Sequence, residues 1–243
     1  MIRRGRTELI GTAKYGVRRA DGGLDEGRLR ELAALPQIKM FEIKLSQGAK
    51  PGKGGILPGV KVTPEIAAIR GVPGGEDSIS PSRHPEINSN DELLNFIETV
   101  KRVTEKPVGV KAVLGAYGWF DDRIAKVRER GAGPDFFTLD SGDGGTGAAP
   151  MALVDNVGLS IRESLPLVRD IINKHGLEER IPIVAAGKLT TPADVAWALC
   201  AGAGGSPASA MRRSSRSQTG RPSRAQRPWA LMGRWAQNPR LTT

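Results

Sequence analysis

The feature that most constrains this chain is a repeated strand-then-helix rhythm in which each apolar strand runs straight into a glycine-dense polar loop. Val108–Val113 (VGVKAV) is a short, β-branched run followed by a helical pattern from Phe120 to Arg130, with Phe120, Ile124 and Val127 on one face. Asp135–Leu139 (DFFTL) repeats the unit, with a helix opening near Ser160 that carries Leu165, Val168, Ile171 and Ile172 on one stripe and stops near Gly176. Ile181–Ala185 (IPIVA) is the third strand. Its helix begins with Thr191 as N-cap and Pro192 in the first position, and Gly202 follows its end. Upstream, Met40–Leu45 (MFEIKL) reads as a strand and Thr63-Pro64-Glu65 opens a short helix. Asn90 caps a longer helix with Leu93, Leu94, Ile97 and Val100 inward.

Strands alternating with helices specify a parallel sheet, either a barrel or an open doubly wound sheet. The loops SQGAKPGKGG, LGAYG, SGDGGTG and AGK follow four separate strands. Several loops contributing together is what the carboxyl-end face of a barrel does, whereas an open sheet gathers its site at one crevice. The expected fold is therefore α/β, a partial TIM-type (β/α) barrel of parallel strands. With four strands and a weaker fifth near Leu9-Ile10, it amounts to about half of the eight that closure needs.

Charge and cysteine content narrow the classes further. The net charge is +10, but eight arginines and no Lys, Asp or Glu fall between Gly204 and Thr243, so the rest of the chain is near +2. The organisation expected is a lead-in over 1–34, a barrel domain over 35–203, and an Arg/Ser/Pro-rich tail over 204–243. That tail reads as disordered or as the product of a frame shift, because it begins where the rhythm requires another strand. Its Trp229 and Trp235 among arginines carry an alternative reading, nucleic-acid binding through the tail. The body gives nucleic acid no such footing. The single cysteine, Cys200, excludes an intrachain disulfide and suits a reducing cytoplasm; alone it holds no zinc or iron–sulfur centre. No apolar run reaches membrane-spanning length, and the basic start has no secretory apolar region.

Three segments carry candidate chemistry. Lys44 to Arg70 combines glycines with Lys44, Lys50, Lys53, Lys61 and Arg70; it is not a P-loop, since Gly48 and Gly52 are too close and Gly54 stands where Ser or Thr is needed. Its bland alternative is a flexible loop of solvated lysines. Ser141 to Gly147 (SGDGGTG) can present unpaired N–H groups to a phosphate or oxyanion. Lys111 sits inside an apolar strand, so it is either buried against a counter-charge or aimed at a ligand. His84-Pro85-Glu86 has the H-x-E spacing of zinc deaminases without their P-C-x-x-C partner and reads as plain loop. His175 lies at a helix C-terminus, where a structural role suffices.

KLSQGAKPGKGGILPGVKVTPEIAAIRG, SPSRHPEI, VGVKAVLGAYGW, TLDSGDGGTGAAP and IPIVAAGKL, in that order, closely resemble the FMN-binding domain of the glutamate synthase family, in its short bacterial and archaeal form. The resemblance implies reductive formation of glutamate from 2-oxoglutarate and glutamine-derived ammonia, with FMN as cofactor and an ammonia- or electron-supplying subunit as a possible partner. It places 2-oxoglutarate on Lys44, Lys50 and Arg70. It places FMN on Lys111, Ser141, Gly142, Asp143, Gly144 and Gly145, with Gly187 and Lys188 near the phosphate. Ile56 stands where the family carries a glutamine. The three cysteines of the family's iron–sulfur cluster, and the strand that completes the phosphate site, are replaced by the tail, which leaves an inactive, flavin-free barrel fragment as the other reading.

Overall fold

The computed structural model describes residues 5–13, 15–143 and 149–204. Along the chain run β1 (Arg6–Ile10), α1 (Glu26–Ala34), β2 (Ile38–Lys44), β3 (Ile56–Leu57), α2 (Pro64–Arg70) and β4 (Ser78–Ile79). They are followed by α3 (Asn90–Thr104), β5 (Val108–Val113), α4 (Gly118–Arg130), β6 (Phe136–Asp140), α5 (Ile161–Lys174), β7 (Ile183–Ala186) and α6 (Pro192–Cys200). Gly144 and Gly145, and the tail from residue 205 onward, lie outside the described residues.

Five strands form one parallel sheet in the order β1-β2-β5-β6-β7, while β3 and β4 pair antiparallel by themselves. Every new strand of the large sheet joins on the same side. Right-handed crossovers then put all the connecting helices on one face, whereas a doubly wound sheet reverses direction at a switch point. The fold is thus a partial (β/α) barrel. The weak fifth strand near Leu9-Ile10 is β1, a full edge strand paired with β2. Beyond β7, Ala203 bridges Ile183 in parallel and the Gly204 N–H donates to Ile183 O at 2.8 Å, so the next strand position begins to fill.

Side-chain alternation explains the layering. Ile10, Phe41, Ile43, Val108, Val110, Phe137, Leu139 and Ile183 point to the helical side and are buried against Leu94, Ile97, Phe120, Ile124, Leu165 and Val168. The helix ends obey local chemistry. Ser160 and Glu163 form a capping box on α5, Thr191 and Asp194 form one on α6, and Gly71 and Gly131 end α2 and α4 in the left-handed region. Helix α3 starts one residue earlier than Asn90 implies: the Ser89 hydroxyl accepts the Glu92 N–H at 3.1 Å and is the cap, with Asn90 inside the first turn. Among the described residues no helix is long and apolar enough to cross a membrane.

The opposite face of the sheet is polar where it should be expensive. Register aligns Glu42 with Gly109 and Phe136, then Lys44 with Lys111 and Thr138, then Val113 with Asp140 and Ala186. Gly109 is required here because a Cβ would sit 2.1 Å from the Phe136 ring, which lies across it. Gly109→Ala is expected to destabilise the fold by about 1–3 kcal/mol through overpacking. A urea midpoint unchanged from wild type would show that the ring is free to move aside.

Candidate active site

The polar face gathers its charges at the carboxyl ends of β2, β5 and β6. Lys111 lies on β5, a central strand of the sheet between β2 and β6. Its ammonium is 3.4 Å from the Asp140 carboxylate, with both side chains buried. Burial opposes the Lys111 charge, but the carboxylates of Asp140 and Glu42 outweigh it and hold the pKa above the ordinary lysine value. Glu42 is buried beneath, accepting from the Thr138 hydroxyl. Desolvation raises its pKa against the opposing pull of Lys111.

Asp140 also joins the loops. Its carboxylate accepts the Gly48 N–H at 3.1 Å, and a Cβ at Gly48 would lie 1.6 Å from Ser141 O. The loop after β2 therefore rests directly on the loop after β6, an approach only glycine permits. Ser46 Oγ accepts the Val113 N–H at 3.0 Å, adding the end of β5. A Cβ at Gly187, after β7, would lie 2.1 Å from Ser141 Oγ. Lys44, Lys111, Ser141 and Gly187 thus share one rim.

Lys44 stands on this rim, and Lys50 lies near it. Lys44, half-buried, donates to Gln47 Oε1 at 2.9 Å. Burial and the neighbouring ammonium groups of Lys111 and Lys50 push its pKa down to about 8. Lys50 is only 5% exposed, with its pKa lowered by burial and by Lys53, and among the described residues it has neither an acidic partner nor a side-chain hydrogen bond. Lys53 and Lys61 are exposed to solvent, whereas Lys50 is not. Arg70 comes from α2, its guanidinium 4.7 Å from the centre of the Tyr15 ring in the loop after β1. Lys188 is exposed just past β7.

The glycine loop departs from expectation in one respect. Its first two N–H groups are not free for an anion: Ser141 N–H bonds Ala186 O at 2.9 Å, extending the β6–β7 ladder, and Gly142 N–H bonds Leu159 O at 2.8 Å. The Asp143 carboxylate accepts the Ile161 N–H at 3.2 Å at the start of α5, so it anchors that helix. Ile56 is 38% exposed.

Comparisons with known proteins identify the family. A family model described as the conserved region in glutamate synthase matches residues 5–210. The chain belongs to the glutamate synthase family. It is 41% identical over 194 residues to the glutamate synthase large subunit-like protein YerD of Bacillus subtilis, covering 80% of this chain and 37% of that protein. Over 164 residues it is 41% identical to the archaeal-type glutamate synthase (NADPH) of Thermotoga neapolitana, covering 67% of this chain and 32% of that protein. The chain thus spans about a third of the length of these glutamate synthase relatives. A solved flavocytochrome b2 variant with sulfite bound shares the fold at a TM-score of 0.50 and 16% identity, covering 84% of this chain and 42% of that one.

Glu42, Asp140 and His84 adjoin this rim although none stands out as a ligand residue in the sequence. The signal for the first two was alternation: Glu42 shares a strand face with Lys44, and Asp140 with Thr138. His84 gave no signal, since its partners are distant in the chain. Because the folded state depresses the Lys44 pKa, that ammonium destabilises the fold below about pH 8. Stability from this group returns as pH rises from about 8 to the unfolded value near 10.4. Lys44→Met should therefore stabilise the protein at pH 7, on the order of 1–3 kcal/mol, with the gain shrinking across that window. A variant less stable than wild type at pH 7 contradicts the assignment.

Proposed function

We propose that this rim is the substrate and cofactor site of a glutamate synthase-type, FMN-dependent oxidoreductase that forms glutamate from 2-oxoglutarate and ammonia. The observation that carries the reading is the Lys50 side chain, buried near Lys44 with no acidic partner among the described residues. A buried cation is stable only when something negative meets it. Three lysines face two carboxylates, Glu42 and Asp140, so the rim is short of negative charge and a dicarboxylate supplies it.

In this reading Lys44, Lys50 and Arg70 bind the two carboxylates of 2-oxoglutarate, with Arg70 held in place by Tyr15. The residues present also suit a flavin. Lys111 is kept charged at mid-rim, Ser141 offers a hydroxyl whose hydrogen bond among the described residues is a long 3.3 Å contact to Asp143 O, and Gly187 leaves the backbone bare next to it. Lys111 and Ser141 are assigned to the ring side. Gly142 and Asp143 shape the adjoining loop, and Gly187 and Lys188 are assigned to the phosphate. Gly144 and Gly145 carry the same assignment, outside the described residues. When bound, FMN supplies the hydride that reduces the imine of 2-oxoglutarate and ammonia. Lys50 and Lys44 hold the keto acid by its charged ends, and Lys111 keeps a positive charge on the floor of the site. Ammonia and electrons come from a further subunit or domain, with NADPH, named for the Thermotoga relative, as the ultimate reductant.

Flavin absorbance during FMN titration tests the cofactor. Uptake at micromolar FMN is expected, and its absence supports the inactive-fragment reading instead. Lys50→Met should weaken 2-oxoglutarate binding roughly 10- to 100-fold, the worth of one charge-assisted contact, while FMN affinity changes little. Unchanged 2-oxoglutarate affinity in that variant removes the role given to Lys50.

A further inference from the structure

His84 lies 66 residues from its principal side-chain partner and yet is only 1% exposed. One ring nitrogen, Nε2, is 2.8 Å from the carbonyl oxygen of Lys44, the last residue of β2. The other, Nδ1, meets the Arg18 guanidinium. Arg18 is itself 2% exposed and donates to Gly11 O at 3.1 Å, Gly22 O at 3.2 Å and the Glu86 carboxylate at 2.5 Å. Phe96 of α3 closes the remaining side, with its ring 5.4 Å from the guanidinium and 5.9 Å from the imidazole.

The chemistry of the two neighbours fixes the proton. A carbonyl oxygen only accepts, so Nε2 must carry hydrogen; a guanidinium only donates, so Nδ1 must offer its lone pair. The ring is therefore a neutral Nε2–H imidazole, wedged between a cation and a strand end. A second proton would have to sit on Nδ1, pointing at Arg18. Burial and the Arg18 charge both oppose that proton, bringing the His84 pKa down to about 4 even with the Lys44 carbonyl and Glu86 favouring it. The charged groups that act on His84 are Arg18 from the loop after β1 and Glu86 from its own loop, and Phe96 of α3 is in ring contact with it.

We propose that His84 is a positioning residue: as a neutral Nε2–H imidazole braced by Arg18, it fixes the carboxyl end of β2 and thereby holds Lys44 at the rim. The brace ties the loops after β1 and β4 to the strand that carries Lys44. Thr12 adds a second tie between those loops, its hydroxyl donating to Pro81 O at 2.6 Å. The purpose of holding Lys44 rests on the 2-oxoglutarate reading, but the brace itself is measurable with neither flavin nor keto acid present.

The first measurement is the tautomer in the wild-type chain, by long-range proton–nitrogen NMR on ¹⁵N-histidine. The chain has two histidines, and His175→Gln assigns the signals. Expected is an Nε2–H ring for His84 that stays neutral until the pH approaches about 4. An Nδ1–H ring, or a midpoint near the ordinary value of about 6.5, overturns the proposal. The second measurement is competitive acetylation of individual lysines across pH, read by mass spectrometry. His84→Gln can still place an N–H where Nε2 stood and should leave the Lys44 profile within about twofold of wild type. His84→Asn is too short to reach the Lys44 carbonyl. It should move the Lys44 midpoint up towards the ordinary lysine value and lower its reactivity at pH 7 about tenfold, with Lys126 on α4 as the unchanged reference. Asn and Gln variants that both match wild type at Lys44 show that His84 fills space only and contradict the positioning role. If the Asn variant does not fold, the tautomer and the Gln profile still decide.

Discussion

The Asp140 carboxylate is the point at which sheet, loops and site become one object. It pairs with the Lys111 ammonium inside the sheet and accepts the Gly48 N–H from the loop after β2, with the loop after β6 starting at the next residue. Removing one charge of a buried pair typically costs about 3–5 kcal/mol, and here only Glu42 would remain to offset the Lys111 charge. The pair is thus weak as a source of stability and strong as a constraint. It sets where the Lys-rich loop docks, and the glycines follow from it: with the backbones drawn this close, Gly48 and Gly142 have no room for a Cβ against Ser141 O and Gly158 O.

The placement of charge on one face of the sheet follows from the same constraint. A sheet whose helices all lie on one side buries its apolar residues there and leaves the other face to be filled by what the barrel interior requires. Here that face carries Glu42, Lys44, Lys111, Thr138 and Asp140 in neighbouring register rows. Burying these groups costs desolvation energy that apolar residues would not, the pattern expected where a fold gives up stability for binding. The depressed Lys44 pKa and Lys50, without an acidic partner among the described residues, are local expressions of that cost, and membership of the glutamate synthase family gives it a purpose.

Much of this was legible in the sequence. VGVKAV gave β5 to the residue because a β-branched run between helical patterns has few alternatives, and Thr191-Pro192 fixed the start of α6 through cap chemistry. β1 was faint because RTELI carries too little apolar alternation to separate it from loop, and α1 offers few buried positions, Leu29 chief among them. The lysines of the rim were visible as types in an odd context, while their carboxylate partners Glu42 and Asp140 needed the register between strands. The N–H groups of Ser141 and Gly142 could not be assigned locally, since Ala186 and Leu159 accept them from distant segments. His84 was least legible of all: the partner that gives it meaning, Arg18, is remote in sequence and unremarkable in composition.

The account turns on a rim that lacks one negative charge until an acidic ligand arrives. The direct test is the titration of the Lys44 amine, followed by NMR in the FMN-loaded protein, before and after saturation with 2-oxoglutarate. The midpoint is predicted to rise by roughly a unit or more on saturation as the carboxylates favour the charged amine. A midpoint that stays where it was, with 2-oxoglutarate demonstrably bound, would place the ligand elsewhere and contradict the account.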